Sequence, residues 1–348
     1  MQRYIGLDAH ATSCSFGVLN ERGKSTGQAV IETNGAALVE HVKTIPGRKS
    51  LCLEEGAQSS WLYEILSPHV DDLVVTRVVQ KSQGSKDDIR DAFRLAEMLR
   101  LGNVLPVFKE RGQFSSLRAQ SDLYGKVNAD SVRAQCRLKA LFRSRGVSTT
   151  DGDVYASGQR EQWLNLLPVA YRSAAEVMYQ QYDATCRAKL EAAELLKKES
   201  HRHPISHILE TAPGMGAIRV AQLMAIVVTP YRFRTSRQLW SYSGLAIEMR
   251  SSSDWVMTPE GWQRVNLNRT RGLTRAYNRT MKHIFKGAAV TVLQHRMQPL
   301  YNDYLRQQQQ GTKPPMARLT LARRIAATVL AMWKNKEAYN PDRYRVQR

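Results

Sequence analysis

Short apolar runs dominate the N-terminal third of the chain, and long helical periodicities dominate the rest. Tyr4-Ile5-Gly6-Leu7-Asp8 is a brief apolar run that ends in a carboxylate, and Cys14-Ser15-Phe16-Gly17-Val18-Leu19 reads as its hairpin partner. Ala29-Val30-Ile31-Glu32 follows as a third strand, and a helix is predicted over 35–45. Leu51-Cys52-Leu53 is a further buried strand, again ending in acid at Glu54-Glu55. Residues 60–66 have helical spacing, Leu73-Val74-Val75 is a strand, and 89–101 is an amphipathic helix. Three early strands followed by alternating helices and strands describe a mixed sheet flanked by helices, an α/β fold.

Past this region the period changes. Residues 117–143 and 168–198 read as long helices with charged faces, separated by a polar stretch at 144–162, so an antiparallel helical hairpin or coiled-coil arm is expected. From residue 205 onward the pattern is read as helical and basic. Ala212-Pro213-Gly214-Met215-Gly216 is a turn between two helical patterns, and the last helix, 316–333, places Leu319, Ala322, Ile325, Ala326, Val329 and Met332 on one face. Gln307 to Gln310, with Gly311 and Pro314-Pro315, reads as a joint before that helix. The expected organisation is a catalytic domain over 1–110, a helical or coiled-coil region over 111–203, and a mainly α domain over 204–348.

Charge separates the two halves. Of 348 residues with a net charge of +20, positions 231–348 hold 22 Lys and Arg against 6 Asp and Glu, and positions 1–230 hold 29 against 25. A nearly neutral N-terminal part joined to a very basic C-terminal part points to chemistry in the first and polyanion binding in the second. Cys14, Cys52, Cys136 and Cys186 form no closely spaced pair, so neither a disulfide framework nor a thiolate zinc site is expected, and a reducing cytoplasm is the natural compartment. His201, His203 and His207 lack flanking acid or cysteine at ligand spacing and read as solvated or capping residues. With no signal-peptide pattern and no apolar run of membrane-span length, a soluble intracellular protein is expected.

The acids carry the candidate chemistry. Asp8 and Glu54 close strands that can lie side by side, with Glu55 as competitor for the second place. Asp88 and Asp91 are three apart at the start of a helix, hence on one face. Taken alone, that pair reads as first-turn acid offsetting the helix dipole. Four acids in the order strand, strand, helical pair form a set of hard oxygen ligands suited to Mg2+. Two such ions about 4 Å apart would clamp the attacking and leaving oxygens of a phosphodiester.

Tyr4-Ile5-Gly6-Leu7-Asp8, Leu53-Glu54-Glu55-Gly56 with Trp61-Leu62-Tyr63, and Lys86-Asp87-Asp88-Ile89-Arg90-Asp91-Ala92 together resemble the DEDD motif of one insertion-sequence transposase family. Its members join an RNase H-like, RuvC-like domain to a serine-bearing transposase domain, and they include bridge-RNA-guided recombinases. The resemblance implies Asp8, Glu54, Asp88 and Asp91 as a metal-binding catalytic tetrad. Glu54 is preferred because the family's Glu precedes a Gly by two, as Glu54 precedes Gly56. The family commonly carries Ser or Thr where this chain has Asp87.

Pro213-Gly214-Met215-Gly216 resembles a helix-hairpin-helix turn, whose amides and following helix can hold a DNA phosphate without reading sequence. Arg219 follows it, and Phe233, Leu239 and Tyr242-Ser243-Gly244-Leu245 come at the family's spacing. The family's serine, thought to attack DNA, lies shortly after that Gly-Leu, which implies Ser252. Ser251 and Ser253 stay open as alternatives, since the serine is usually followed by Gly and here by Ser253-Asp254. A serine hydroxyl needs a base or metal, supplied by the tetrad of the same or a partner subunit, and cations near the phosphorane, for which Arg250 and Arg271 are candidates. Thr270-Arg271-Gly272-Leu273 with Arg275, Asn278, Arg279, Lys282 and Lys286 continues the family pattern and reads independently as a helix with cations along one side.

The expected function is therefore that of a DNA transposase or recombinase working as a homo-oligomer with Mg2+ and a serine nucleophile. The resemblance further implies a structured guide RNA that specifies donor and target DNA. A RuvC-like junction nuclease using water, and a non-catalytic nucleic-acid-binding protein, are the alternatives.

Overall fold

The computed structural model describes residues 1–77, 87–109, 112, 114–150 and 152–343. Lys86 of the quoted acid motif lies outside the described residues, as do the side chains of residues 249–254, 256 and 264–271. Two compact units divide the chain, Met1–Gln113 and Phe114–Arg348. The expected boundary at 203 falls inside the second unit.

The first unit is built on a five-stranded mixed sheet. Its strands are β1 (Gln2–Ala9), β2 (Ser13–Asn20), β3 (Ser25–Glu32), β4 (Arg48–Glu54) and β5 (Asp72–Thr76), in the spatial order β3-β2-β1-β4-β5. β1, β2 and β3 pair antiparallel, whereas β1-β4 and β4-β5 are parallel. Helices α1 (Gly35–Thr44) and α2 (Ser59–Leu66) pack Leu38, Val42, Leu62 and Leu66 against Ile5, Leu7, Leu51 and Leu53 on one face. Helix α3 (Asp88–Arg100) covers the other.

α3 lies almost on the backbone of β1. A Cβ at Gly6 would stand 1.8 Å from the carbonyl oxygen of Ala92, so no other residue fits where strand and helix touch. Gly6→Ala is expected to cost about 3 kcal/mol or more, at or beyond the upper end for an overpacked methyl. A thermal unfolding midpoint within about 2 °C of the unsubstituted chain would show that the helix moves aside freely.

The second unit opens with α4 (Ser115–Ser144) and, after the short α5 (Arg160–Asn165), returns along α6 (Val169–His201). Contacts of Phe142 with Tyr179 and of Ser131 with Cys186 show the two long helices to be antiparallel. The far end of this arm has its own small core of Leu138, Phe142, Val154, Trp163, Leu167 and Tyr179, locked by a two-pronged Arg160–Asp183 ion pair at 2.7 and 2.6 Å. Val154 thus buries part of the stretch read as polar, and Trp163 follows directly after it.

Leu117 and Leu196, at the other end, join the main core of the unit. That core is made by α7 (Pro204–Glu210), α8 (Ala217–Val227), α9 (Ser236–Tyr242), α10 (Arg279–Gln294), α11 (Leu300–Gln309) and α12 (Pro314–Asn335). Thr235 and Gln238 close a reciprocal capping box at the start of α9, and Asn278 caps α10 through the Met281 amide. Gly311 and Pro314 mark the break between α11 and α12.

One expectation fails here. The chain is not helical throughout its C-terminal part: β6 (Ile247–Thr258) and β7 (Gly261–Leu273) form an antiparallel ribbon between α9 and α10. Thr270-Arg271-Gly272-Leu273 therefore ends a strand, and the helix expected there starts only at Arg279. Arg250-Ser251-Ser252-Ser253-Asp254 fills the middle of β6 with polar residues, so no alternation of apolar residues announces that strand. Trp255-Val256-Met257-Thr258 before Pro259-Glu260-Gly261-Trp262 was the available turn signal.

Candidate functional site

In the first unit the acids meet through strand register and a helix cap. β1 and β4 run Gly6 beside Cys52 and Leu7 beside Leu53, so Asp8 and Glu54, the next residues, finish side by side. Gly6 faces α3, and Asp8, two positions on, shares that face. The carboxylate of Asp87 accepts from the amides of Ile89 at 3.0 Å and Arg90 at 3.4 Å, making it the N-cap of α3. Ser, Thr and Asp serve alike in that place, which accounts for the departure from the family's usual residue. The cap fixes Asp88 and Asp91 in the first turn of the helix.

Two basic side chains divide the four acids into pairs. Nε2 of His10 lies 3.1 Å from Asp8 and 3.2 Å from Asp88. The Arg94 guanidinium lies 3.1 Å from Glu54 and 3.6 Å from Asp91. Asp8, His10 and Asp88 offer ligand atoms all within 4.8 Å of one another, a group able to hold a metal ion. Glu54, with a 19% exposed side chain, is held by Arg94, whereas Glu55, at 40%, pairs with Lys109. A cleft of about 360 Å3 opens over the strand ends, lined by Asp8, His10, Glu54, Glu55 and Ser59 among others. Hard carboxylate oxygens converging with one imidazole are a donor set that fits a divalent cation. His10 and Arg94 were missed in the sequence. Their signal is positional, since His10 stands two after Asp8, just past the end of β1, and Arg94 three after Asp91 on a helix.

In the second unit the turn Pro213-Gly214-Met215-Gly216 does join two helices, α7 and α8. Its residues differ in what they face. Gly214 has φ +75° and backs onto α10, where a Cβ would come within 2.3 Å of the Ala288 carbonyl oxygen. Gly216 is exposed at the start of α8 with open space before it. Arg219 turns inward, donating to the Gly214 carbonyl at 2.7 Å and the Thr291 hydroxyl at 3.1 Å, and burial holds its pKa below the usual guanidinium value. A cleft of about 510 Å3 before α8 is lined by Gly216, Arg219, Lys197, His283 and Tyr124. Lys197, His283 and Tyr124 come from α6, α10 and α4, so only folding places them there.

Helix α10 buries Met281, Ile284, Phe285, Ala288, Ala289 and Val292. Arg279, Lys282, His283 and Lys286 stand on the opposite side, with Lys282 Nζ 4.1 Å from the centre of the Tyr277 ring. Arg275 is exposed just before the helix. Arg250, Ser251, Ser252, Ser253 and Arg271 belong to the ribbon, and only their backbone is described. Ser252 pairs with Leu267, Ser251 with Asn268 and Ser253 with Asn266. Ser252 therefore takes one face of the ribbon with positions 250 and 269, and Ser251 and Ser253 take the other.

Comparison with known proteins places both regions. Residues 5–145, which contain the four acids, match a family model described as Transposase, of the DEDD IS110 type. Residues 206–306, which contain the turn, the ribbon and α10, match one described as Transposase IS116/IS110/IS902 family. A Streptomyces clavuligerus protein named insertion element IS116 uncharacterized 44.8 kDa protein is 30% identical over 136 residues, 39% of this chain and 31% of that protein. The match thus spans about a third of that relative. Two family models in succession, one over the acid cluster and one over the basic turn and ribbon, show that the chain belongs to the IS110/IS116/IS902 family of transposases.

Proposed function

We propose that the protein cuts and rejoins DNA strands as the transposase of an insertion sequence, with a RuvC-like first unit and a serine nucleophile in the second. The observation that carries this reading is the convergence of Asp8, Glu54, Asp88 and Asp91 at the C-terminal ends of β1 and β4 and the start of α3, with His10 and Arg94 between them. The four acids are the proposed ligands of Mg2+. When bound, the ion supplies Lewis-acid activation of the phosphodiester and of the attacking oxygen. Asp8 and Asp88 hold their carboxylates in place through His10, and Arg94 does the same for Glu54 and Asp91.

Ser252 is the proposed nucleophile. Its Oγ–P bond forms as the P–O3′ bond of the DNA breaks, the serine proton leaves to a base and the 3′ oxygen departs as a hydroxyl. Attack by a 3′ hydroxyl on the phosphoserine reverses the step, so joining needs no ATP. Gly216 with the start of α8, Arg275, Arg279, Lys282 and Lys286 are the proposed phosphate contacts, with Arg250 and Arg271 nearer the serine. Arg219 and Gly214 enter this reading as supports of the turn, because one is bonded inward and the other backs onto α10. A structured guide RNA and assembly of several subunits belong to the proposal through the family.

Incubation of the full chain with its flanking DNA and Mg2+, followed by a search for nicked strands and a protein–DNA adduct, tests the reading. Nicking without adduct would favour a nuclease using water, and neither would favour a non-catalytic binder. Affinity should also fall steeply with salt. If about six to ten phosphates are neutralised, it drops roughly 10³–10⁵-fold between about 50 and 200 mM. Lys286→Ala should reduce the logarithmic salt slope by about one. A flat response would contradict a phosphate-reading surface.

A further inference from the structure

The ribbon of β6 and β7 ends in a tip that neither the acid cluster nor the basic turn uses. Thr258 and Gly261 form its last pair, with the Thr258 hydroxyl donating to the Gly261 carbonyl at 2.9 Å, and Pro259-Glu260 make the loop between them. Trp255, Met257 and Trp262 stand beside this loop and are 61%, 64% and 64% exposed. Met257 pairs with Trp262 across the ribbon, and Trp255 comes two residues before Met257, so all three share one face. Among the described residues no helix packs along either strand. Single exposed apolar residues are ordinary on a protein surface, whereas three large ones side by side mark a place that binds something.

The chemistry around the three side chains selects the partner. Glu260, the acid of the loop, accepts from the Gln263 amide at 3.2 Å, and Gln263 follows Trp262 directly and so belongs to the opposite face. Asp254 alternates with Trp255 along β6, which gives position 254 to the opposite face as well. The position paired with Trp255 is an arginine, Arg264. The ribbon also lies within the stretch that holds 22 Lys and Arg against 6 Asp and Glu. An aromatic face in basic surroundings, with the neighbouring acids assigned to the other side, complements a polyanion that carries flat apolar bases.

Position relative to Ser252 picks out DNA. Ser252 precedes Trp255 by three residues and Met257 by five, about 10 and 17 Å at the rise of a strand. Such distances span about three to five nucleotides of a stacked strand. Ser252 takes the face opposite to the tryptophans, so one ribbon presents the serine position on one side and two indoles on the other. We propose that the ribbon tip enters the DNA beside the cut and stacks Trp255 and Trp262 on bases it has unpaired, with the attacked strand on the face of Ser252. Apolar side chains inserted between base steps open a duplex, and an indole stacks on a base of any sequence. This rests on the reading of the protein as a DNA-cutting transposase and adds to it a site for the bases next to the cut.

The test uses the full chain and the double variant Trp255→Ala/Trp262→Ala. The probes are flanking DNA as a single strand and as a duplex, an RNA of the same sequence, and the single strand carrying 5-bromodeoxyuridine, which crosslinks on irradiation to an aromatic ring it touches. The double variant is expected to bind the single DNA strand about tenfold more weakly, with the unfolding midpoint unchanged because both rings are exposed. Crosslinks of the unsubstituted chain should map to the peptide holding Trp255 and Trp262. Thymines of the duplex beside the cut should gain permanganate reactivity with the unsubstituted chain and not with the variant. Single-strand affinity unchanged in the variant, or crosslinks confined to other peptides, would overturn the proposal. So would a loss seen with RNA alone, which would give the tip to an RNA. A fall in oligomeric mass with DNA affinity retained would give it to a second copy of the chain. Nicking and adduct formation with Mg2+ on the same samples separate this proposal from the reading it rests on. If the unsubstituted chain nicks while the variant binds single strands as tightly, the tip assignment alone is wrong. If strand binding depends on the tryptophans and neither nick nor adduct forms, the transposase reading fails and the placement beside a cut fails with it.

Discussion

Asp8→Asn and Asp88→Asn should each abolish strand cleavage while the protein stays folded and bound to DNA. Both changes keep the size of the side chain and an oxygen able to accept from His10, which lies 3.1 Å from one acid and 3.2 Å from the other. Both remove a negative charge from the proposed metal ligands. Losing about 4 kcal/mol of transition-state stabilisation slows a reaction roughly 10³-fold, and ligation of a catalytic metal is of that order. Asp91→Asn and Glu54→Gln belong to the same series, acting on the pair held by Arg94. Glu55→Gln is the internal control, because Glu55 pairs with Lys109 and is more exposed. Nicking of flanking DNA with Mg2+, beside circular dichroism and duplex binding, makes the measurement. Full activity in Asp8→Asn or Asp88→Asn would end the metal-site assignment. Loss in Glu55→Gln with activity kept in Glu54→Gln would move one ligand by one place.

Ser252→Ala should remove both the protein–DNA adduct and recombination, leaving binding intact. Ser251→Ala and Ser253→Ala should do much less. The ribbon register supplies the reason that position in the sequence lacked. Ser252 stands on the opposite face from its two neighbours, so a phosphate lying on one face meets either Ser252 or the flanking pair. Positions 250 and 269, paired across the ribbon two residues away from Ser252, are both arginine. Peptide mapping of an adduct trapped on the unsubstituted protein decides between the faces. A nucleotide on Ser251 or Ser253 would assign the reaction to the other face. Cleavage that persists in all three variants without adduct would make water the nucleophile.

Much of the acid cluster could be read in advance because each acid is placed by a local rule. Asp8 and Glu54 end apolar runs, and an apolar run fixes where a buried strand stops. Asp88 and Asp91 follow a capping residue, and a cap fixes where a helix starts. The long arm was legible for the same reason, as helical periodicity over two long stretches leaves little choice. The ribbon was not, because its strands offer no apolar alternation over Arg250 to Asp254 and are held by pairing between residues far apart in sequence.

By itself, then, the sequence determined the alternation of strands and helices in the first unit, the helical arm, the concentration of positive charge after residue 230, and the four acids at element ends. Those features follow from burial and chain direction, which are written in spacing. Only the tertiary structure decided that His10 and Arg94 split the acids into two pairs, and that Arg219 bonds inward while Lys197 and His283 border the cleft before α8. Strand pairing likewise set Trp255, Met257 and Trp262 on one face of the ribbon. Such partners lie tens of residues apart in most cases, and nothing in local spacing says which side chains packing will bring within hydrogen-bonding reach.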